Sequence, residues 1–284
     1  MKALVYTLNN WSLFNISSVL HCIKYELMKS DKIYNLNDYN ILITCNPTAP
    51  EWGRIYNRFK NRIPIIGMQQ SLSYNPYSNP KAYWPEPNMM IWGSRYINHY
   101  RSNNFKGKVF VTGLPKFDHL FNIKRKSGNY ILFLPLCGPK HTKHMVPFIN
   151  AAAKKYRVVV KLHPQDCREI FEVPGVRYVI GDSKLSIKQI QHAKCVIVST
   201  STAGIQSMIL GTPTISIGSI EDKWSRNYEN AGIDLKEKED INDAIERVIK
   251  EQPTDTNKLF LNETITGDCS TGRVLNCLRS LAES

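Results

Sequence analysis

Short strand-like and helix-like segments alternate along all 284 residues, and that alternation predicts an α/β fold built on parallel sheets. Two further observations support it. The strand-like runs are apolar and β-branched, as strands buried on both faces are. A polar, charged stretch, "NIKRKSGN" at 122–129, is followed by a fresh strand and divides the series. The prediction is two βαβ units, 1–124 and 125–284.

In the first unit the strand-like runs fall at 3–6, 40–44, 64–68, 89–92 and 109–112. In the second they fall at 130–134, 157–162, 176–180, 195–198 and 214–217. Helical spacing of apolar residues joins them at 17–28, 145–155, 185–193, 241–251 and 271–282. A further helix across "EWGRIYNRFKNRIP" sets Arg54, Arg58 and Arg62 on one face, while Ile55, Tyr56 and Phe59 occupy other positions and can pack inward.

The chain is 42% hydrophobic, enough for one large or two ordinary cores. It has no run of eighteen apolar residues, and its opening "MKALVYTLNN" lacks a signal-peptide core, so a soluble cytoplasmic protein without membrane insertion is expected. Seven cysteines without CxxC spacing fit a reducing compartment. The net charge of +13 points to an acidic partner: nucleic acid, an anionic membrane or nucleotide phosphates. Lysine-rich codon usage is a competing explanation for part of that charge.

The stretch "KCVIVSTSTAGIQSMILGTPTISIG" at 194–218 carries the sharpest local signal. An apolar strand leads into Ser199, Thr200, Ser201 and Thr202, a helix follows, Gly211 stops it, and another strand begins at Pro213. Small hydroxyl residues opening a helix suit an anion, because free backbone N–H groups and the positive dipole end face it unobstructed. A Ser/Thr N-cap in an ordinary βαβ unit produces the same pattern.

"VFVTGLPKFDHL" (109–120), "YILFLPL" (130–136), "RVVVKLHPQD" (157–166) and the 194–218 stretch occur in this order. The series resembles glycosyltransferases of the GT-B fold, and within them the cluster of CDP-glycerol glycerophosphotransferases, capsule transferases and UDP-GlcNAc 2-epimerases. It covers about 64–218. The resemblance implies two Rossmann-like domains facing across a cleft. The first would bind the acceptor and the second a nucleotide sugar, UDP-linked, with no other cofactor. The last helix, about 270–283, would pack back on the first domain.

The same resemblance puts the donor diphosphate on Ser199, Thr200, Ser201 and Thr202, with Gln206 one turn on. His163 stands at the end of a predicted central strand beside Lys161 and Pro164. It is either a donor to the diphosphate, helping leaving-group departure, or a packed core histidine. In "TGLPK", Gly113 allows close backbone approach, and Lys116 either offsets phosphate charge or is a solvated lysine. The loop "LPLCGPKHTKH" adds Lys140 as a phosphate contact, and one Cys with two His there is an incomplete zinc set. No DxD motif is present, so neutralising the diphosphate falls to helix N-termini and cations of the protein, which describes a metal-independent enzyme.

Relatives resembling "IIGMQQSLSYNPY" carry a histidine-glycine pair where this chain has Gln70 and Ser71. Gln69, Gln70 and Ser71 remain expected acceptor contacts, but glutamine cannot take a proton at neutral pH. Either the base comes from elsewhere, with Asp118, His21 and Glu51 as candidates, or the reaction retains configuration without one. Asp118, in the place of the aspartate in the family's "GxPxxD", is more often structural than catalytic. Arg54, Arg58, Arg62 and Arg95, interleaved with aromatics, suit phosphate contact and base stacking, although a solvated helix face explains any one stripe. In size, charge and fold, though not in motif, the chain is similar to DNA glycosyltransferases of T-even-like phages. That likeness implies duplex DNA carrying 5-hydroxymethylcytosine as the acceptor, a flipped target base and, if phage-encoded, the host cytoplasm. The alternatives are a transferase of surface polysaccharide or teichoic-like polymer, a UDP-sugar 2-epimerase, and a non-catalytic nucleic-acid-binding relative.

Overall fold

The structure, a computed structural model, describes all residues except 8–15, 30–31, 33, 46–50, 70–87, 103–104, 127, 137, 164–171, 181–182, 219–227, 229 and 284. Its strands are β1 (Lys2–Tyr6), β2 (Lys24–Leu27), β3 (Ile41–Thr44), β4 (Ile65–Met68), β5 (Asn88–Ile91), β6 (Val109–Val111), β7 (Tyr130–Leu134), β8 (Arg157–Leu162), β9 (Arg177–Ile180), β10 (Cys195–Val198) and β11 (Thr214–Ser216). The helices are α1 (Ser17–Leu20), α2 (Trp52–Phe59), α3 (Ile97–Ser102), α4 (Pro139–Ala153), α5 (Ser183–Gln191), α6 (Ala203–Ile209), α7 (Ile241–Glu251), α8 (Asp255–Ile265) and α9 (Ser270–Ala282). The chain divides into two compact units, Met1–His119 with Asn262–Ser284, and Leu120–Leu261. Among the described residues no helix is long and apolar enough to cross a membrane.

The first unit is a six-stranded sheet in the order β2-β1-β3-β4-β5-β6, with every pair parallel. β1 shows why its strands read as unbroken apolar runs. Ala3 and Val5 face one core with Ile41, Ile43, Val274 and Leu278. Leu4 and Tyr6 face the other with Leu42, Trp52 and Phe59. Period-two alternation between two buried faces leaves no place for a polar residue. The C-terminal helix α9 supplies Val274, Leu278 and Leu281 to the first of these cores, so it returns to the first sheet as expected.

The segment at 17–28 differs from the sequence reading. The helix expected over 17–28 stops after the single turn α1, and residues 24–27 form the edge strand β2, paired parallel to Lys2–Val5. Val19 and Leu20 anchor the turn in the core, whereas Lys24, Tyr25 and Leu27 are exposed. An edge strand needs only one hydrogen-bonded side, so it can form without the apolar alternation that marks the others.

The second unit is a five-stranded sheet in the order β11-β10-β7-β8-β9, again wholly parallel. Ile131, Phe133, Val158, Val160, Cys195 and Ile197 meet Met145, Ile149 and Ala152 of α4 and Ile241, Ala244, Ile245 and Val248 of α7 on one face. The helix residues recur at three- and four-residue spacing, so each helix shows the sheet a single apolar stripe. At the edge, the Gln252 amide bonds both the N–H and the C=O of Thr214, at 2.8 and 3.1 Å, and so continues the ladder beyond β11.

Candidate functional site

Counted within its own unit, the order of the second sheet is 5-4-1-2-3. Strand order therefore reverses between β7 and β10, which opens a crevice outside their carboxyl ends. Leu134 pairs with Val198 at the ends of these strands, so the loop entering α4 and the loop entering α6 emerge side by side. The neighbouring strand β8 ends at Leu162 and delivers Lys161 and His163 to the same edge. The topology thus gathers Gly138, Lys140, Lys161, His163 and Ser199–Thr202 on one end of one sheet, with Gln206 a turn further along α6.

The local chemistry favours an anion there. Gly138 caps α4 at φ 113°, a conformation open to glycine, and its carbonyl accepts the His141 N–H at 3.0 Å. Pro139 follows, and the first turn of α4 holds no acidic residue. Instead Lys140 lies in the first turn and Lys143 just beyond it, both exposed. A cation at the positive end of a helix dipole costs roughly 0.3–1 kcal/mol, a cost that a bound anion reverses. Lys161 is only 7% exposed, with its Nζ 3.5 Å from the Leu162 carbonyl.

The hydroxyl run is held in an unusual state. Thr202 takes the N-cap position of α6 but makes no side-chain capping bond, and Ser201 Oγ accepts the Ala203 N–H at 3.3 Å instead. Ser199 is 1% exposed, and its Oγ has no hydrogen-bond partner among the described residues. A buried polar atom left unsatisfied costs about 1–3 kcal/mol, so its retention wants a cause. The loop itself is clamped. Tyr228 donates its hydroxyl to the Ser201 carbonyl, and its ring lies where a side chain on Gly204 would stand, with Cε1 3.1 Å from the position of an added Cβ. Sequence reading missed Tyr228, because nothing local links it to a loop 27 residues earlier. Gly211, at φ 67°, ends α6 as expected: its N–H bonds Met208 and the Thr212 N–H bonds Ser207.

The remaining expected residues lie in the first unit. Asp118 spends both carboxylate oxygens on the start of α9, accepting the Ser270 N–H at 2.9 Å and the Thr271 N–H at 2.7 Å. This anion replaces the cap that Cys269, at φ 59°, does not supply. Gly113, at φ 84°, does allow a close approach, but to Arg273 and Ile265, each 2.8 Å from where a Cβ would sit. Lys116 places its ammonium 5.8 Å over Trp92 and 5.1 Å over Phe117, and burial pushes its pKa down to about 8. Gln69 is buried, with its side-chain oxygen on the Trp92 N–H at 3.0 Å and its carbonyl on the Trp92 indole at 2.9 Å. Arg95 bonds Thr264 at 3.3 Å. Gln70 and Ser71 lie outside the described residues.

The helix expected across 51–64 ends at Phe59, so Arg62 lies beyond it while Arg54 and Arg58 lie on it. Arg54 and Arg58 line a cavity together with Glu51, and Arg62 does not. His21 precedes β2 and lies near Met1 and Asn40, at the amino ends of the strands. It is therefore at the opposite end of the strands from Glu51. Among the described residues no three His, Cys, Asp or Glu side chains gather as a metal-ligand set.

No family model matches the chain, and no curated protein does. Solved structures do. UDP-GlcNAc 2-epimerase from Neisseria meningitidis, bound to UDP-GlcNAc, aligns with TM-score 0.62 at 15% identity over 99% of this chain and 100% of that one. MnaA of S. aureus in complex with UDP gives 0.63 at 11% identity, over 98% and 96%. The spinosyn rhamnosyltransferase SpnG with thymidine diphosphate gives 0.58 at 13%, over 98% and 100%. At these identities the likeness is one of fold, and the fold is GT-B.

Proposed function

We propose that this chain is a glycosyltransferase: the second unit binds a nucleotide sugar, UDP-linked, and the sugar passes to a hydroxyl acceptor held by the first. The observation that carries the reading is the β7/β10 switch point, with a glycine-capped helix on one side and the Ser199–Thr202 run on the other. The diphosphate lies against the backbone N–H groups of these two loops, and Ser199 Oγ finds its missing partner in a phosphate oxygen. Lys140, Lys161 and His163 offset the charge that develops on the departing diphosphate, so the chain's own cations supply the neutralisation. The acceptor oxygen bonds to the anomeric carbon, the bond from that carbon to the diphosphate oxygen breaks, and the acceptor proton leaves to a base. Fold likeness to structures that hold UDP, UDP-GlcNAc or thymidine diphosphate supports the donor class.

Calorimetric titration with UDP, followed by incubation with UDP-sugars and product analysis, tests this. Transfer of the sugar supports it, a sugar inverted at C2 on intact UDP makes the chain an epimerase, and absence of nucleotide binding removes both. Duplex DNA carrying 5-hydroxymethylcytosine is the acceptor favoured by the net charge of +13. Its test is a nucleoside heavier by one anhydro-sugar unit after digestion of treated DNA.

A further inference from the structure

The first sheet has a switch point of its own. Its order β2-β1-β3 reverses between β1 and β3, and ligands in open α/β sheets lie outside the carboxyl ends of such strands. A cavity of about 650 Å³ opens there, lined by Tyr6 and Thr7 after β1, by Met28 and Lys29 after β2, and by Glu51, Arg54, Ile55 and Arg58 at α2. That volume is within the range of small-ligand sites, roughly 300–1,000 Å³.

Its chemistry is lopsided. Three cations share the wall with one carboxylate, and among the described residues none of Lys29, Arg54 and Arg58 forms an ion pair. Arg54 and Arg58 are four residues apart on one helix face, where like charges repel. Two adjacent guanidinium forks match a phosphate or carboxylate, which can accept parallel N–H bonds from each. At the start of the same helix the Tyr6 hydroxyl donates to Glu51 Oε2 at 3.4 Å. Burial first, and then the Glu51 charge, pushes the Tyr6 phenol up to about 12, so it stays a neutral donor. The Tyr6 ring is fixed by stacking on buried Trp52, at 5.7 Å between centroids.

We propose that this cavity binds a small ligand bearing both an anionic group and a hydroxyl, a phosphorylated or carboxylated polyol rather than a duplex. Arg54 and Arg58 grip the anion, with Lys29 alongside. Glu51 accepts from the hydroxyl, and Met28 and Ile55 cover the carbon skeleton. If the transferase reading above holds, this small ligand takes the place of duplex DNA as the acceptor, and of Asp118, His21 and Glu51 only Glu51 is placed to take its proton.

The test is equilibrium binding of inorganic phosphate and of malonate to the full chain, with UDP titrated separately so that the nucleotide reading fails or stands by itself. The cavity predicts that R54Q/R58Q weakens anion binding at least tenfold while R62Q binds as the wild type does. All three arginines are exposed, and unchanged melting temperatures confirm intact folds. Phosphate bound in preference to malonate assigns a phosphorylated ligand, and the reverse assigns a carboxylate; either supports the site. Anion binding that persists in the presence of UDP and is indifferent to R54Q/R58Q overturns the proposal. So does an equal loss with R62Q accompanied by tighter binding of a short DNA duplex, the result expected of a continuous polyanion face.

Discussion

Replacing Lys116 with methionine stabilises the first unit at neutral pH, and the gain disappears in alkali. The ammonium is enclosed by Trp92 and Phe117 although the residue as a whole is only partly buried, and desolvation lowers its pKa from 10.5 to about 8. A base whose folded pKa is lowered releases its proton on folding. Between about pH 8 and 10.5 the unfolded chain therefore binds more protons, and wild-type stability rises with pH through that window. Below the window the cost is fully present, equivalent to about 3 kcal/mol if burial acted alone. The two aromatic faces return roughly 0.5–1 kcal/mol each, which leaves a net cost of about 1–2 kcal/mol. Urea unfolding of wild type and K116M from pH 7 to 11 measures the difference. The gain in K116M is expected to be about 1–2 kcal/mol at pH 7 and to fade as pH approaches 10.5. A pH-independent difference, or a variant less stable at pH 7, refutes the argument that this ammonium is held against its solvation.

Asp118→Ala removes the anion that receives two N–H groups of α9 and costs about 1–2 kcal/mol in urea unfolding; an unchanged midpoint contradicts the capping role. Ser199→Ala stabilises the ligand-free chain by about 1–3 kcal/mol, because its buried hydroxyl bonds no described residue, yet weakens UDP about five- to tenfold by calorimetry. A large stability loss with unchanged UDP affinity reverses that assignment. Glu239 is held below its ordinary value chiefly by the Arg247 guanidinium, with Nε–Oε1 at 2.7 Å and Nη2–Oε2 at 2.9 Å. Its contribution, about 1 kcal/mol at neutral pH, is lost as pH falls from 4.5 through the lowered value, so wild type and E239Q converge in acid melts.

Central strands were legible because burial on both faces demands unbroken apolar runs, as in "ALVY" of β1 and "CVIV" of β10. β2 was not, since "KYEL" is an exposed edge and its pairing with β1 is a property of the sheet. α8 escaped because Leu259 points outward, at 59% exposure, and blurs its apolar stripe. The donor loop could be read as small hydroxyls opening a helix, but strand order, which places it beside Gly138, is fixed by contacts far apart in sequence. The same limit applied to the arginines. Spacing puts Arg54, Arg58 and Arg62 on one face, and only the fold separates the two that line a cavity from the third. Gly113 and Asp118 show the same limit, because a close approach and a carboxylate serve a helix start as well as a ligand.

Hydrogen exchange of the whole chain with and without saturating UDP tests the central claim most directly, because it reports the backbone N–H groups that the switch point offers. The account predicts slowed exchange at 138–142 and 199–204, with 51–58 unchanged. Protection confined to 51–58, or none at the two loops while UDP is bound, would contradict it.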